Sequence, residues 1–191
     1  MEPRKLEPRK LKPRKHLFDN DLLYLFSYDA DLEMRRDIIG FVAGGVRVNI
    51  GAVPDETRVF NVTRERTIQG SRSVQGTVLW GTDMAIIRTD DVAILNVRLA
   101  IQTDDGATIF SRYRGVFPCG PRGFRTLISE KPLLGSANKP FVANVYVTPT
   151  YETMDPRYAW LMKYQCVGFG EISVVESKVQ SAQFDIYAMD A

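Results

Sequence analysis

The chain has 191 residues, 45% hydrophobic and 25% charged, a composition suited to one globular domain with a substantial core and too short for two comfortable ones. No run approaches the roughly eighteen unbroken apolar residues that a membrane helix needs, and the basic N-terminus lacks the apolar stretch of a secretory signal, so a cytoplasmic protein without membrane contact is expected. The formal charge of +2 is uneven: residues 1–16 hold seven Lys/Arg against two Glu, a net +5 that leaves −3 for residues 17–191, so nucleic-acid binding by the folded domain is not expected.

In chain order, the first element is a tail over residues 1–16, an imperfect repeat in which Pro3, Pro8 and Pro13 recur at every fifth position. That spacing forbids a continuous helix, and the segment offers little apolar surface to offset ordering entropy. From residue 17 to 191 the pattern changes to short runs of Val, Ile, Tyr, Phe and Thr separated by Gly, Asp, Asn and Pro. The predicted strands are Leu22–Tyr28, Phe41–Ile50, Val74–Trp80, Met84–Arg88, Val92–Gln102, Thr108–Phe117, Phe141–Val147, Gln165–Phe169, Ile172–Gln180 and Ala182–Met189. Such evenly spaced strands with little helical period predict an all-β fold, a single antiparallel β-barrel of about ten strands, because closure removes exposed edges.

The clearest hairpin is centred on Asp105-Gly106, read as a two-residue type I′ turn. That turn would set Arg98 opposite Tyr113, Asn96 opposite Gly115 and Ala100 opposite Ser111 on one face. One short helix is predicted near Asp155–Tyr164, with Asp155 as N-cap and Pro156 at the first helical position. Trp160 and Tyr164, four apart, would then share an apolar face that plugs the barrel or lines a pocket.

The only histidine is His16, in the predicted tail, so the body contains no imidazole. Ser-His-Asp and Cys-His hydrolases and His-ligated metal or haem sites all require one. Cys119 and Cys166 fit neither zinc-ligand nor CxxC spacing and are read as free thiols. Gly44-Gly45 lies between strand-like segments without the following Lys-Ser/Thr of a phosphate loop. No metal and no cofactor are therefore expected, and acid–base chemistry would fall to Asp, Glu, Tyr, Lys or Cys.

Several segments together carry a resemblance: Thr103-Asp104-Asp105-Gly106-Ala107, Lys139-Pro140-Phe141, and the run from Tyr146 through Tyr151-Glu152-Thr153 and Asp155-Pro156-Arg157-Tyr158-Ala159-Trp160-Leu161 to Val167-Gly168. They resemble bacterial and fungal proteins of the domain of unknown function 3237 family over roughly residues 38–189. The resemblance implies a small barrel but no reaction. A glycine- and aspartate-containing element of that family is similar to Trp80-Gly81-Thr82-Asp83-Met84, and another strand to Asn96-Val97-Arg98-Leu99, which keeps only Arg98 of its polar pair.

The candidate catalytic residues are Asp83, Glu152, Arg98 and Tyr113: a carboxylate to move a proton, and an Arg-Tyr pair to hold an anionic or enolate oxygen. Asn96, Ser111, Asn144, Tyr146 and Trp160 are candidate substrate contacts. Three readings follow. The first is a cofactor-independent isomerase, cyclase or lyase acting on a hydrophobic carbonyl-containing metabolite. The second is a non-catalytic ligand-binding barrel, and the third a structural module whose outward apolar side chains are buried in a homo-oligomer.

Overall fold

The computed structural model describes residues 22–52, 58–60, 73–120, 124–125, 141–175 and 178–189. The predicted tail, residues 1–16, lies outside them. Ten strands account for most of the described chain: β1 Leu22–Val42, β2 Gly45–Ala52, β3 Arg58–Phe60, β4 Gly76–Asp83, β5 Ile86–Arg88, β6 Val92–Thr103, β7 Thr108–Pro118, β8 Phe141–Glu152, β9 Cys166–Val175 and β10 Lys178–Met189. Every pairing is antiparallel, in the order β1-β10-β9-β8-β7-β6-β5-β2-β4-β3. The ring returns to β1 through β3, where Ser27 pairs with Phe60 and Asp29 with Arg58. No helix among the described residues is long and apolar enough to cross a membrane.

Strand β3 is not among the strands expected from the sequence, β4 and β8 run on to Asp83 and Glu152, and three further boundaries differ. Strand β1 continues for 21 residues, past the predicted stop at Tyr28 and through a charged stretch that hides its alternation. Its first half pairs with β10 on one side and β3 on the other, and its second half with β2, so one long strand serves three neighbours. The run Phe41–Ile50 is split by a turn at Ala43-Gly44, where Gly44 has φ of 76°. The run Ile172–Gln180 covers the end of β9 and the start of β10, because Gly168 and Gly170 lie inside a strand rather than ending one.

The β6–β7 hairpin corrects the predicted register. Thr103 N donates to Ala107 O at 2.9 Å, Gly106 N donates to Thr103 O at 2.9 Å, and Gly106 has φ of 88°. The connection is therefore a three-residue loop with glycine in the left-handed position, not a two-residue turn. Arg98 pairs with Arg112, and Val97 with Tyr113. A slip of one residue exchanges faces, so the predicted Arg98–Tyr113 couple is split across the wall. Burial confirms the parity: in β7, Ile109, Ser111, Tyr113, Gly115 and Phe117 are buried while Phe110, Arg112, Arg114 and Val116 are exposed.

The predicted helix is present as a five-residue 3₁₀ helix, Ala159–Lys163. Asp155 holds the turn before it rather than capping it: its Oδ1 accepts from Arg157 N at 2.9 Å, and its carbonyl accepts from Tyr158 N at 3.1 Å. Trp160 and Tyr164 meet edge to face with ring centroids 6.3 Å apart, and Tyr158, Trp160 and Leu161 join the hydrophobic core.

Gly170 faces the lumen beside Phe184, its partner on β10. A Cβ there would lie 2.5 Å from Phe184 Cδ1 and 2.2 Å from Gln183 O, so the wall closes only without a side chain. Gly170→Ala should therefore cost about 2 kcal/mol of overpacking strain, seen as a lower urea midpoint at unchanged slope. An unchanged midpoint would contradict this close approach.

Candidate active site

The inward faces of the strands enclose a cavity of about 60 Å³. Its wall is almost entirely apolar, with Leu95, Val97 and Leu99 from β6, Phe117 from β7 and Phe184 from β10. Among the described residues three side chains bring ionisable groups into it: Asp83 from the end of β4, Tyr113 from β7 and Tyr28 from β1. Asp83 and Tyr113 occupy one row of the sheet, each paired with Val97 of the strand between them. A shift of register between Val78 and Trp80 turns Asp83 inward and leaves Trp80 half-exposed outside.

Asp83 is 9% exposed, and its Oδ1 accepts a hydrogen bond from Asn96 N at 2.8 Å. Loss of hydration raises its pKa to about 7, against a smaller lowering by that bond. Burial likewise lifts Tyr113, which the Tyr28 hydroxyl pulls down and the Asp83 charge raises further. Tyr28 is raised well above the usual phenol value, by burial first and by Tyr113 second. The two phenols perturb one another's ionisation, and by donor–acceptor geometry the Tyr28 hydroxyl is buried with no hydrogen-bond partner among the described residues. Phe184 stacks on Tyr28 at 5.0 Å between centroids, and the Tyr113 ring lies 6.5 Å from that of Tyr28.

The remaining candidates separate from this cluster. Arg98 and Glu152 are on the outer face, where Glu152 pairs with Arg112. Asn144 and Tyr146 also point outward, in the exposed positions of β8, and Tyr146 packs edge-on against Phe169. Asn96 is half-buried and serves Asp83 through its backbone N–H. Ser111 faces the lumen beside Tyr151, whose pKa burial raises and the Ser111 hydroxyl pulls down, but it does not line the cavity. Trp160 is buried in the core near the 3₁₀ helix and is not part of the cavity wall.

Sequence reading missed Tyr28, taken there as a strand end. The register shift between Tyr24 and Phe26 resets the alternation just before it, and no sequence signal marks that bulge. Cys119 and Cys166 are free thiols, both pushed up to about 12 by burial, and neither suits a nucleophile. Among the described residues no group of three or more His, Cys, Asp or Glu is placed to hold a metal ion.

Asp83 makes stability depend on pH. The folded protein retains its proton up to about pH 7, whereas the unfolded chain releases it near 3.8. Stability is therefore favoured below the lower value and declines as pH rises through that window, by up to roughly 4 kcal/mol, then levels off. Asp83→Asn should remove this slope and be more stable than wild type at pH 8, as read from urea unfolding at pH 5 and 8. An equal slope in both proteins would place the raised pKa elsewhere.

Comparison with known proteins agrees with this architecture. The curated relatives include uncharacterised UPF0311 proteins of Rhodopseudomonas palustris, 34% identical over 96 residues, and of Clostridium acetobutylicum, 32% identical over 87 residues. These matches cover 50% and 44% of this chain, and 60% and 50% of the relatives' own lengths. Among solved structures, a protein of unknown function from Clostridium acetobutylicum superposes with a TM-score of 0.60 at 22% identity, covering 90% of this chain and all of the other. A beta-barrel-like protein from Acinetobacter baumannii gives 0.57 at 21% identity, with coverage of 88% and 95%. A protein described as an enzyme from Penicillium herquei gives 0.51 at 14% identity, with coverage of 91% and 98%. The family model described as protein of unknown function (DUF3237) matches residues 39–189, and the chain belongs to that family.

Proposed function

We propose that this protein is a small-molecule barrel that moves a proton on a hydrophobic carbonyl-containing metabolite, in an isomerisation, cyclisation or lyase reaction. The observation that carries this reading is a carboxylate, Asp83, set in the wall of an apolar cavity beside the hydroxyl of Tyr113. A buried carboxylate whose pKa lies near 7 is present in both protonation states at neutral pH, so it can take a proton from carbon and return it. As the C–H bond breaks, its electron pair moves toward the carbonyl oxygen. The Tyr113 hydroxyl, held neutral by burial, is available to donate a hydrogen bond to that oxygen. A chamber of about 60 Å³ accepts the reacting end of such a molecule, with the remainder at the mouth. One distant neighbour of the same fold is described as an enzyme, so the architecture is compatible with catalysis.

A binding barrel without catalysis would use the same cavity, and isotope exchange separates the two. Small ketones from acetone to acetophenone, incubated with the protein in D₂O, should exchange α-hydrogen faster than in buffer, as followed by proton NMR. Asp83→Asn should lower the protein-dependent rate by about 100-fold or more. Glu152→Gln, on the outer face, should leave it unchanged. Exchange that survives Asp83→Asn undiminished would remove the proposed role of this carboxylate.

A further inference from the structure

The Tyr28 hydroxyl is a buried polar group without a hydrogen-bond partner among the described residues, and Tyr28 lines the cavity. Leaving such a group unpaired costs about 1–3 kcal/mol, so its persistence needs an explanation. Packing supplies only part of one, because phenylalanine would keep the stacking on Phe184 at 5.0 Å and the ring contact with Tyr113 at 6.5 Å. The phenol oxygen is the element packing does not require. Near it stands a second lumen hydroxyl, that of Tyr113, close enough to perturb its ionisation.

We infer that Tyr28 and Tyr113 form a two-donor cradle for a single uncharged carbonyl oxygen, and that Tyr28 is a ligand-positioning residue selecting neutral ketones over carboxylates and phosphates. Both phenols stay protonated in this apolar setting and therefore act as donors, so the group they hold must be an acceptor. Among the described residues the cavity wall contains no Lys, Arg or His, and its one carboxyl group is Asp83. A carboxylate or phosphate entering it would be desolvated without a counter-cation and would face Asp83, whereas a ketone oxygen meets two donors at no such cost. As enolate character develops, the same donors face more negative charge and bind more strongly. This inference deepens the proposed function and rests on it for the identity of the working cavity.

The test uses the full chain with ¹³C-carbonyl-labelled acetone, cyclohexanone and acetophenone, and with acetate and benzoate as charged counterparts. In wild type the bound ketone C=O stretch should fall below its value in hydrocarbon solvent, and benzoate should bind at least tenfold more weakly than acetophenone. Tyr28→Phe should lose a large part of the frequency shift and weaken acetophenone about tenfold, the loss of one hydrogen bond. Its melting temperature should not fall, since the deleted hydroxyl makes no bond. The cradle is overturned if no ketone binds wild type, if the stretch is unshifted or the same in Tyr28→Phe, or if benzoate binds as well as acetophenone. The wild-type frequency and the benzoate comparison decide the matter even if the variant fails to fold. A shifted ketone without isotope exchange keeps the cradle and removes the proton-transfer reading. Exchange with a Tyr28-independent frequency does the reverse.

Discussion

In the β6–β7 hairpin Thr103 pairs with Ala107 across a three-residue loop, and because side chains alternate strictly along a strand, this register commits the odd-numbered residues of both strands to the lumen. Leu95, Val97 and Leu99 then build the apolar wall, with Tyr113 and Phe117 facing them from the next strand. Arg98, Arg112 and Arg114 go outside with the same necessity. Their exclusion matters as much as the inclusion of Tyr113. Had the loop been one residue shorter, the Arg98 guanidinium would have shared a face with Tyr113, a pair suited to an anion. The observed register leaves a chamber that penalises charge.

The same exclusion accounts for the behaviour of Asp83. With no cation among the described residues of the wall, the Asn96 N–H is what favours the charged form of this carboxylate, and burial outweighs that bond. Near pH 7 the site is therefore at its protonation boundary. Ionising Asp83 costs folding free energy, and the unpaired Tyr28 hydroxyl adds a second, smaller penalty. Two local penalties in one cavity, on side chains that an apolar residue could replace, mark the part of the core not optimised for stability. Gly170, at its contact with Phe184, is by contrast a position set by packing.

The barrel class, most strand positions and the placement of a helix near Trp160 were legible in the sequence, because alternating β-branched and aromatic runs leave few other folds. Turn length was not: Asp105-Gly106 suits both a two-residue turn and a loop ending in a left-handed glycine, and composition does not distinguish them. That ambiguity, not residue chemistry, placed Arg98 with Tyr113. Asp83 was legible as a carboxylate after a strand, while its inward direction depends on the irregularity between Val78 and Trp80. Tyr28 was illegible for a similar reason. A bulge leaves no compositional trace, yet it decides which of two adjacent side chains enters the lumen.

Two of the segments that carry the family resemblance, residues 103–107 and 153–158, meet at the tip of the β6–β7 hairpin. Arg157 bonds Asp105 at 2.9 Å and Asp155 at 2.7 Å, and the Tyr158 hydroxyl donates to Asp105 at 3.0 Å. Thr103 Oγ1 ties the same hairpin tip to Asp105 at 2.6 Å, while Thr153 Oγ1 bonds the Thr108 carbonyl at 2.7 Å. Both ion pairs are largely exposed and worth little individually. Their joint effect is geometric: they fasten the loop that sets the β6–β7 register to the segment leading into the 3₁₀ helix. The Asp-Asp-Gly and Asp-Pro-Arg-Tyr motifs thus have a complete structural explanation. They specify which face of each strand becomes the lumen, and leave the reaction to the few polar residues that register admits.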